Sequence, residues 1–283
     1  MKAKKFVMIF SLICSMALFS IVTYSWIARS WTPELEYSQV SISTTGALVI
    51  AFEDEKGDES LFTTVDVNEF LGIGDFVLKQ VSSYDGINFV SADFTPILGG
   101  GVPVYDENVK NKYIETEFWL KTQYETDEGL RERQKQVFLH PDSYISFNGT
   151  GDSKNVELTI RVSIEIDGVG TYIFCADRGE GKPLYEDELY AATPDVVGKN
   201  VFVNYPEKDL DTSICTKVPY IYDLNYFNGQ GNNYLFTIAE ASVQKVTLRI
   251  WLEGCDDYCL NDIAGKNLSI LIKFDSKEVE STN

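Results

Sequence analysis

Alternation of apolar and polar residues is the feature that most constrains the fold. From Val156 to Asp167 every second residue is apolar, and the residues between them are polar. A similar two-residue period runs through Val246–Glu253 and Leu268–Phe274. Successive side chains of a β-strand point to opposite faces of a sheet, so this period indicates strands. We expect one face of each strand to be buried and the other to meet solvent or a second layer.

Further segments show the same strand-and-turn pattern. Val40–Phe52, Tyr113–Lys121 and Val137–Phe147 are rich in β-branched and aromatic residues, which favour strands. Asp85-Gly86 lies between apolar flanks within Ser82–Phe94, and Asp-Gly is typical of a two-residue type I′ hairpin turn. We therefore expect a hairpin there.

No long helix is indicated, although short helices are predicted at 65–70, 122–136 and 185–192. Strands separated by frequent turn signals are typical of sandwiches and jelly rolls. The sequence predicts an all-β fold, an antiparallel jelly-roll-like β-sandwich with short helical insertions. Residues 40–283 are expected to form one domain.

The first 28 residues have the composition of an export signal. Lys2, Lys4 and Lys5 precede an apolar run from Phe6 to Ile27. A basic start before such a run is typical of a signal peptide, and the run is also long enough to cross a bilayer as a helix. We expect a hydrophobic signal peptide or signal-anchor helix at 1–28, with cleavage and retention both open. Contact with a membrane is expected through this segment only.

Residues 29–39 differ in pattern from the strand predicted next to them. Trp31, Leu35 and Tyr37 occupy odd positions, whereas the apolar residues from Val40 occupy even positions. A shift of one residue turns every side chain of a strand to the other face. The phase change therefore predicts an extended N-terminal arm that is separate from the domain.

The charge excludes some partners. The formal net charge is −19, and it would be −22 without the three N-terminal lysines. Such a surface repels phosphate backbones, so nucleic acid is not an expected partner. Bound calcium is compatible with this charge, but the acidic segment 53–60 lacks the spacing of an EF loop. We predict no cofactor or metal, with calcium as the alternative.

Little in the sequence supports catalysis. His140 is the only histidine, and no HExxH or GxSxG motif is present, which disfavours the common nucleophilic and zinc mechanisms. A hydrolase with paired carboxylates needs no histidine and is the least favoured of three hypotheses. We predict that the chain is not an enzyme.

Four cysteines lie beyond the N-terminal segment, and four cysteines allow three disulfide pairings. The predicted pairs are Cys255–Cys259 within one loop and Cys175–Cys215 between segments. A zinc site is the alternative, although the CxxxC spacing of Cys255 and Cys259 without a nearby histidine is atypical for zinc.

Aromatic residues are concentrated between Val218 and Phe236. Packing within a half-buried sheet is the ordinary role of such residues. The alternative is an exposed ligand surface formed by Tyr222, Tyr226 and Tyr234, which would stack against a sugar.

Four segments together resemble a known group of exported proteins. The segment Thr23–Ser30 (TYSWIARS) is similar to the end of SipW-dependent signal peptides. Three more segments complete the resemblance: Val40–Phe52 (VSISTTGALVIAF), Ser82–Phe89 (SSYDGINF) and Arg249–Phe274 (RIWLEGCDDYCLNDIAGKNLSILIKF). In this order they resemble exported proteins of Gram-positive bacteria in the TasA/camelysin family. The protease activity attributed to camelysin is not expected here, because no matching metal motif is present.

The resemblance implies a secreted or cell-surface protein that leaves the cell by the Sec pathway. It implies a jelly-roll subunit of extracellular matrix or biofilm fibres, whose N-terminal segment adds as a strand to the next subunit. Trp31, Leu35 and Tyr37 would then fill a groove on a neighbouring copy, and other matrix or surface proteins are further expected partners. The second hypothesis is a surface binding module or adhesin that recognises a glycan or a protein.

Overall fold

The computed structural model describes most of the predicted domain and a few residues before it. The described residues are 15–16, 34–35, 37–45, 48–52, 78–97, 100–106, 111–122, 134–148, 157–176, 190–192, 215–218, 221–239, 242–254, 256, 259 and 267–279. Of the predicted signal segment only Ser15 and Met16 are described, and the predicted helix at 65–70 lies outside these ranges. Among the described residues, no helix is both long enough and apolar enough to cross a membrane.

Strands dominate the described residues. In chain order they are β1 (Glu34–Leu35), β2 (Tyr37–Thr44), β3 (Leu48–Ala51), β4 (Leu78–Ser82), β5 (Val90–Ile97), β6 (Gly100–Asp106), β7 (Ile114–Thr122), β8 (Gln134–Leu139), β9 (Tyr144–Asn148), β10 (Ile160–Ile166), β11 (Gly170–Cys175), β12 (Tyr190–Ala192), β13 (Cys215–Lys217), β14 (Ile221–Asp223), β15 (Phe236–Ala239), β16 (Val243–Glu253) and β17 (Asn267–Glu278). The predicted all-β class is confirmed.

The larger sheet has ten strands and is organised around β16. Its main order is β14-β11-β10-β16-β4-β5-β6, while β7 also pairs with β16, β3 pairs with β7 and β1 pairs with β4. β16 pairs along one side with β10, from Val246 opposite Ile166 to Leu252 opposite Ile160. On its other side it pairs first with β7 and then with β4. The most regular apolar alternation in the sequence thus lies at the centre of this sheet.

The smaller sheet has five strands and is organised around β17. Its order is β15-β8-β17-β2, and β9 also pairs with β17. A separate two-stranded sheet pairs β12 with β13. Three strand pairings among the described residues are parallel: β11 with β14, β16 with β4, and β17 with β2. The predicted antiparallel arrangement therefore holds for most of the pairings but not for these three.

One hydrophobic core lies between the two sheets. The larger sheet contributes Val162, Ile164, Leu248 and Ile250, and the smaller sheet contributes Val40, Ile42, Ile270, Ile272 and Phe274. The ring centroids of Phe118 on β7 and Phe274 on β17 lie 5.7 Å apart, so the two inner faces touch. Burial of these apolar side chains is the main stabilising contribution that the described residues offer.

The outer face of the larger sheet is also covered. Trp251 is fully buried there, and Phe89 packs edge-on against its ring at 5.2 Å. The Phe89 ring stacks on Tyr113 at 4.0 Å. Val81, Ile173, Cys175, Val218 and Ile221 complete this second apolar cluster. The central strands β10 and β16 are therefore buried on both sides over most of their length, so their outer faces meet a second layer, which was one of the two expected surroundings.

The predicted strands are close to the observed ones, with three corrections. The segment predicted to begin at Val156 starts as a single 3-10 turn, Glu157–Thr159, and becomes a strand at Ile160. A helix was predicted over 185–192, but the described residues Tyr190–Ala192 are a strand, because they pair with Cys215–Lys217. At the two ends of the helix predicted over 122–136, Thr122 belongs to β7 and residues 134–136 belong to β8.

The predicted hairpin is present, but its turn is longer than predicted. Ser82 pairs with Val90, so residues 83–89 form the loop. The Asp85 carboxylate closes it by accepting hydrogen bonds from Ile87 N at 2.9 Å and Asn88 N at 2.7 Å. Desolvation by burial raises the pKa of Asp85, but the hydrogen bonds from Asn88, Ile87 and Ser83 outweigh it, so the net pKa lies below the ordinary value of 3.8.

Candidate functional site

The described part of the N-terminal arm pairs with its own chain. In β1, Glu34 lies opposite Lys79 and Leu35 lies opposite Leu78 of β4. β2 runs parallel to β17, from Tyr37 opposite Asn267 to Thr44 opposite Phe274. Trp31 lies outside the described residues. The arm thus contacts both sheets, the larger through β1 and the smaller through β2.

The predicted boundary between arm and domain falls inside a strand. β2 is continuous from Tyr37 to Thr44, so the phase change at Gln39 and Val40 does not interrupt the backbone. Both faces of β2 are buried from Val40 onward, because Ser41 and Ser43 are buried like Val40 and Ile42. A change of apolar phase carries little information in a strand that is buried on both sides.

The predicted ligand surface forms part of an aromatic cluster at one edge of the larger sheet. Tyr222 of β14 lies beside Phe174 of β11, with ring centroids 6.2 Å apart. Tyr226 packs against Tyr222 at 4.7 Å and against Phe227 at 4.9 Å. Phe227 is buried, whereas Tyr226 is 42% exposed. The cluster therefore has a packed interior and one ring directed toward solvent.

Tyr172 links this cluster to the third predicted residue, Tyr234. The Tyr172 ring lies 4.9 Å from Phe227, and its hydroxyl donates to Leu235 O at 2.8 Å. Burial raises the pKa of Tyr172, and the neighbouring hydroxyl groups of Tyr222 and Tyr234 raise it further. The structure thus brings Tyr222 and Tyr226 into direct contact, and Tyr234 is connected to them through its influence on Tyr172.

The loop 224–235 joins β14 of the larger sheet to β15 of the smaller sheet. Two backbone hydrogen bonds attach it to β8: Leu139 N donates to Phe227 O and Leu235 N donates to Val137 O, each at 2.7 Å. Leu224 and Leu235 are buried in the core between the sheets. The loop is therefore part of the folded domain.

A tight turn inside this loop needs its glycines. Gly229 and Gly231 have φ angles of +75° and +59°, and residues with a Cβ adopt such angles only at an energetic cost. Gly229 N donates to Asn233 O at 2.9 Å. The Lys277 ammonium donates to the carbonyl oxygens of Gly229 and Gly231, so these hydrogen bonds attach the turn to β17.

The most buried polar contacts lie elsewhere, at the end of β10. The guanidinium of Arg161 donates to the Asp256 carboxylate and to Leu158 O, and both charged side chains are 1% exposed. Burial lowers the pKa of Arg161, but Asp256, Cys175 and Glu253 raise it by more, so the arginine stays charged. Arg161 Nε is buried and has no hydrogen-bond partner among the described residues.

Glu253 continues this polar cluster on β16. Its carboxylate accepts from Trp251 Nε1 at 3.0 Å and from Ser83 N at 3.5 Å, and the side chain is buried. Next to it, Gln80 Nε2 donates to the sulfur of Cys259 at 3.2 Å. These contacts fix the chain where it leaves the larger sheet, and the sequence pattern did not predict them.

Two of the four cysteines predicted to pair have described side chains. Cys175 and Cys259 are both buried thiols in the structure. Cys175 Sγ donates to Ala176 O at 3.4 Å, and Cys259 Sγ faces Gln80. Burial raises the pKa of the Cys259 thiol. Cys255 lies outside the described residues and Cys215 is described by its backbone only, so the pairs Cys255–Cys259 and Cys175–Cys215 stay predictions.

No metal site is found among the described side chains, since no three His, Cys, Asp or Glu residues there are arranged to hold an ion. The acidic segment 53–60 lies outside the described ranges, and calcium binding stays a prediction.

Comparison of the chain with protein-family models, curated proteins and solved structures finds no match.

Proposed function

We propose that this chain is an exported structural protein of the cell surface or extracellular matrix, a jelly-roll β-sandwich that self-assembles through its N-terminal segment. Each copy would give the segment from Trp31 through β2 to a neighbouring copy. The observation that carries the proposal is the placement of β1 and β2 on two different sheets of the domain.

The pairing partners of this segment are distant in sequence. Leu35 pairs with Leu78, and β2 pairs with the last strand, β17. Because β2 is the end strand of the smaller sheet, the same backbone hydrogen bonds can be made by β2 of another copy without changing the order of the other strands. The four resembling sequence segments add support, since strand addition is what they imply.

The surface chemistry is consistent with an assembly outside the cell. A net charge of −19 favours solubility of the separate chains and disfavours nonspecific association. Strand addition would overcome this repulsion through backbone hydrogen bonds and burial of apolar side chains, because neither interaction depends on net charge.

The first test compares chains with different N-termini by negative-stain electron microscopy over days. Arg29–Asn283 should form regular fibres, whereas Gln39–Asn283 should remain monomeric. A chain that begins at Glu36 removes β1 and keeps β2, so it separates the two contributions. Equal fibre formation by the Arg29 and Gln39 chains would contradict the proposal.

An engineered disulfide gives a sharper control, because it tests the exchange of β1 without removing any residues. Glu34 and Lys79 face each other in the β1–β4 pair, so Glu34→Cys with Lys79→Cys should join β1 to its own chain. The oxidised variant should stay monomeric, and reduction should restore fibres. Fibres from a fully oxidised, intramolecularly linked variant would show that β1 is not exchanged.

A further inference from the structure

The loop 224–235 has a surface of amide side chains and tyrosine, and it is separate from the N-terminal arm. Its exposed residues are Asn225, Tyr226, Gln230, Gly231 and Asn232, with Asn228, Asn233 and Tyr234 partly exposed. Primary amides both donate and accept hydrogen bonds, and a tyrosine ring offers a flat apolar face. We propose that this loop is a binding site for neutral saccharides, with Tyr226 as the stacking residue.

The ring of Tyr226 is held in place before any ligand binds. Tyr222 packs against it at 4.7 Å with an interplanar angle of 38°, and Phe227 meets it nearly edge-on at 81°. Phe227 is buried and fixed by its backbone contact to Leu139. A ring that is fixed from behind and 42% exposed loses little conformational freedom when a ligand stacks on it.

The amide side chains of the loop are carried by an ordered backbone. Asn225 N donates to the Asp223 carboxylate at 2.6 Å, and Gln230 N donates to Asn228 Oδ1 at 3.0 Å. Asn233 N donates to Gln230 O at 3.1 Å. Tyrosine together with asparagine and glycine is the composition that antibody loops use for rigid stacking and adaptable hydrogen bonding.

The lining argues for a neutral ligand. Residues 224–235 contain no lysine or arginine, and the nearby Lys277 ammonium is directed to the carbonyls of Gly229 and Gly231. A chain with net charge −19 repels phosphate, sulfate and uronate groups. A pyranose fits, because it has an apolar C–H face for the ring and hydroxyl groups for the amides.

A protein partner fits the same surface less well. Tyr226 is the one large hydrophobic side chain that is well exposed among the described residues of this loop. Specific protein interfaces bury about 800 Å² on each partner around an apolar centre. A loop with one exposed ring and several exposed amides matches the size of a few sugar units.

Affinity electrophoresis tests the proposal with the full 283-residue chain in a polyoxyethylene detergent, which carries no sugar. Native gels would contain hydroxyethylcellulose, glucomannan or a soluble β-glucan, with a polymer-free gel and an alginate gel as references. We expect retardation by a neutral polysaccharide and none by alginate. Tyr226→Ala should weaken this binding about tenfold, whereas Tyr226→Phe should keep most of it.

Tyr144→Ala is the matched control, because Tyr144 on β9 is 44% exposed but belongs to no aromatic cluster among the described residues. It should bind as the unmodified chain does, and thermal unfolding should show all variants folded. No retardation in any neutral gel, retardation by alginate alone, or equal retardation of Tyr226→Ala would overturn the proposal. The first of these results would point to a protein ligand.

The saccharide-binding test is independent of fibre formation. Tyr226 has no described contact with β1 or β2, so Tyr226→Ala should assemble like the unmodified chain. A chain that is retarded by saccharide but forms no fibres would refute the assembly proposal alone.

Discussion

The two faces of β10 are both buried, yet they differ in chemistry. The inner face carries Ile160, Val162, Ile164 and Ile166, all packed in the core between the sheets. The outer face carries Arg161 and Ser163, which are also buried, and the partly exposed Glu165. Alternation in the sequence thus separates two interiors rather than an interior from a surface.

The two interiors depend on their residues in different ways. An aliphatic face tolerates changes of shape when volume is conserved. On the outer face each polar residue has a defined partner: Arg161 meets Asp256, Ser163 Oγ donates to Gly86 O at 2.7 Å, and Arg249 Nη1 donates to Glu165 at 2.6 Å. Because Arg161 and Asp256 are each 1% exposed, loss of one side chain leaves the charge of the other buried.

The largest effect should come from Arg161→Met, which leaves the Asp256 carboxylate buried without its cation. We expect a loss of about 3–5 kcal/mol in unfolding free energy by chemical denaturation. On the inner face, Ile164→Val should cost only about 1 kcal/mol. The double variant Arg161→Met with Asp256→Leu should regain most of the loss. Equal costs for the two single variants would show that the faces do not differ.

A smaller effect should distinguish two glycines with the same backbone conformation. Gly86 and Gly168 have φ angles of +72° and +73°. A Cβ at Gly86 would lie 2.7 Å from Ser163 Cβ, whereas at Gly168 nothing lies within 4 Å. Gly168→Ala should therefore cost about 1 kcal/mol from backbone strain alone, and Gly86→Ala about 2–4 kcal/mol.

Chemical denaturation midpoints of both variants would measure this difference. If the two alanine variants were equally stable, the loop 83–89 would not be pressed against the outer face as closely as the distance indicates.

The smallest effect concerns Asp85, which organises the loop that covers the outer face. Its pKa in the folded chain is below 3.8, so its ionised form stabilises the fold above that pH. This contribution is lost as the pH falls through the folded-state pKa. The stability difference between the unmodified chain and Asp85→Ala should therefore be constant above about pH 5 and shrink toward about pH 2.5.

Asp85→Asn is the control, since it keeps an oxygen acceptor without the charge, and it should show a weaker dependence on pH. A difference that did not change between neutral and acidic pH would mean that the Asp85 carboxylate contributes nothing through its ionisation.

Periodicity predicted the strands well because it reports local geometry. β7, β10 and β16 lie within a few residues of their predicted limits. It could not predict what covers a face, because the cover comes from distant segments. Asp256 reaches Arg161 across 95 residues of sequence, and no local pattern links the two.

The aromatic cluster was predicted in part for the same reason. Tyr222 and Tyr226 were found from the local density of aromatic residues. Tyr172 and Phe174 were missed because they lie on β11, which pairs in parallel with β14 only in the fold. The alternation of these two rings with Ile173 was the available signal. The pairing of β1 with β4 had no local signal.

The position of β17 has a consequence for the order of folding during synthesis. The central strand of the smaller sheet is the last of the described strands, and β2 and β9 pair with no other described strand of that sheet. These segments must wait for residues 267–278 to emerge before their backbone groups find partners. Such distant pairing is slow to form. The smaller sheet therefore closes only after this segment has left the ribosome, and until then β2, β8 and β9 lack their common partner.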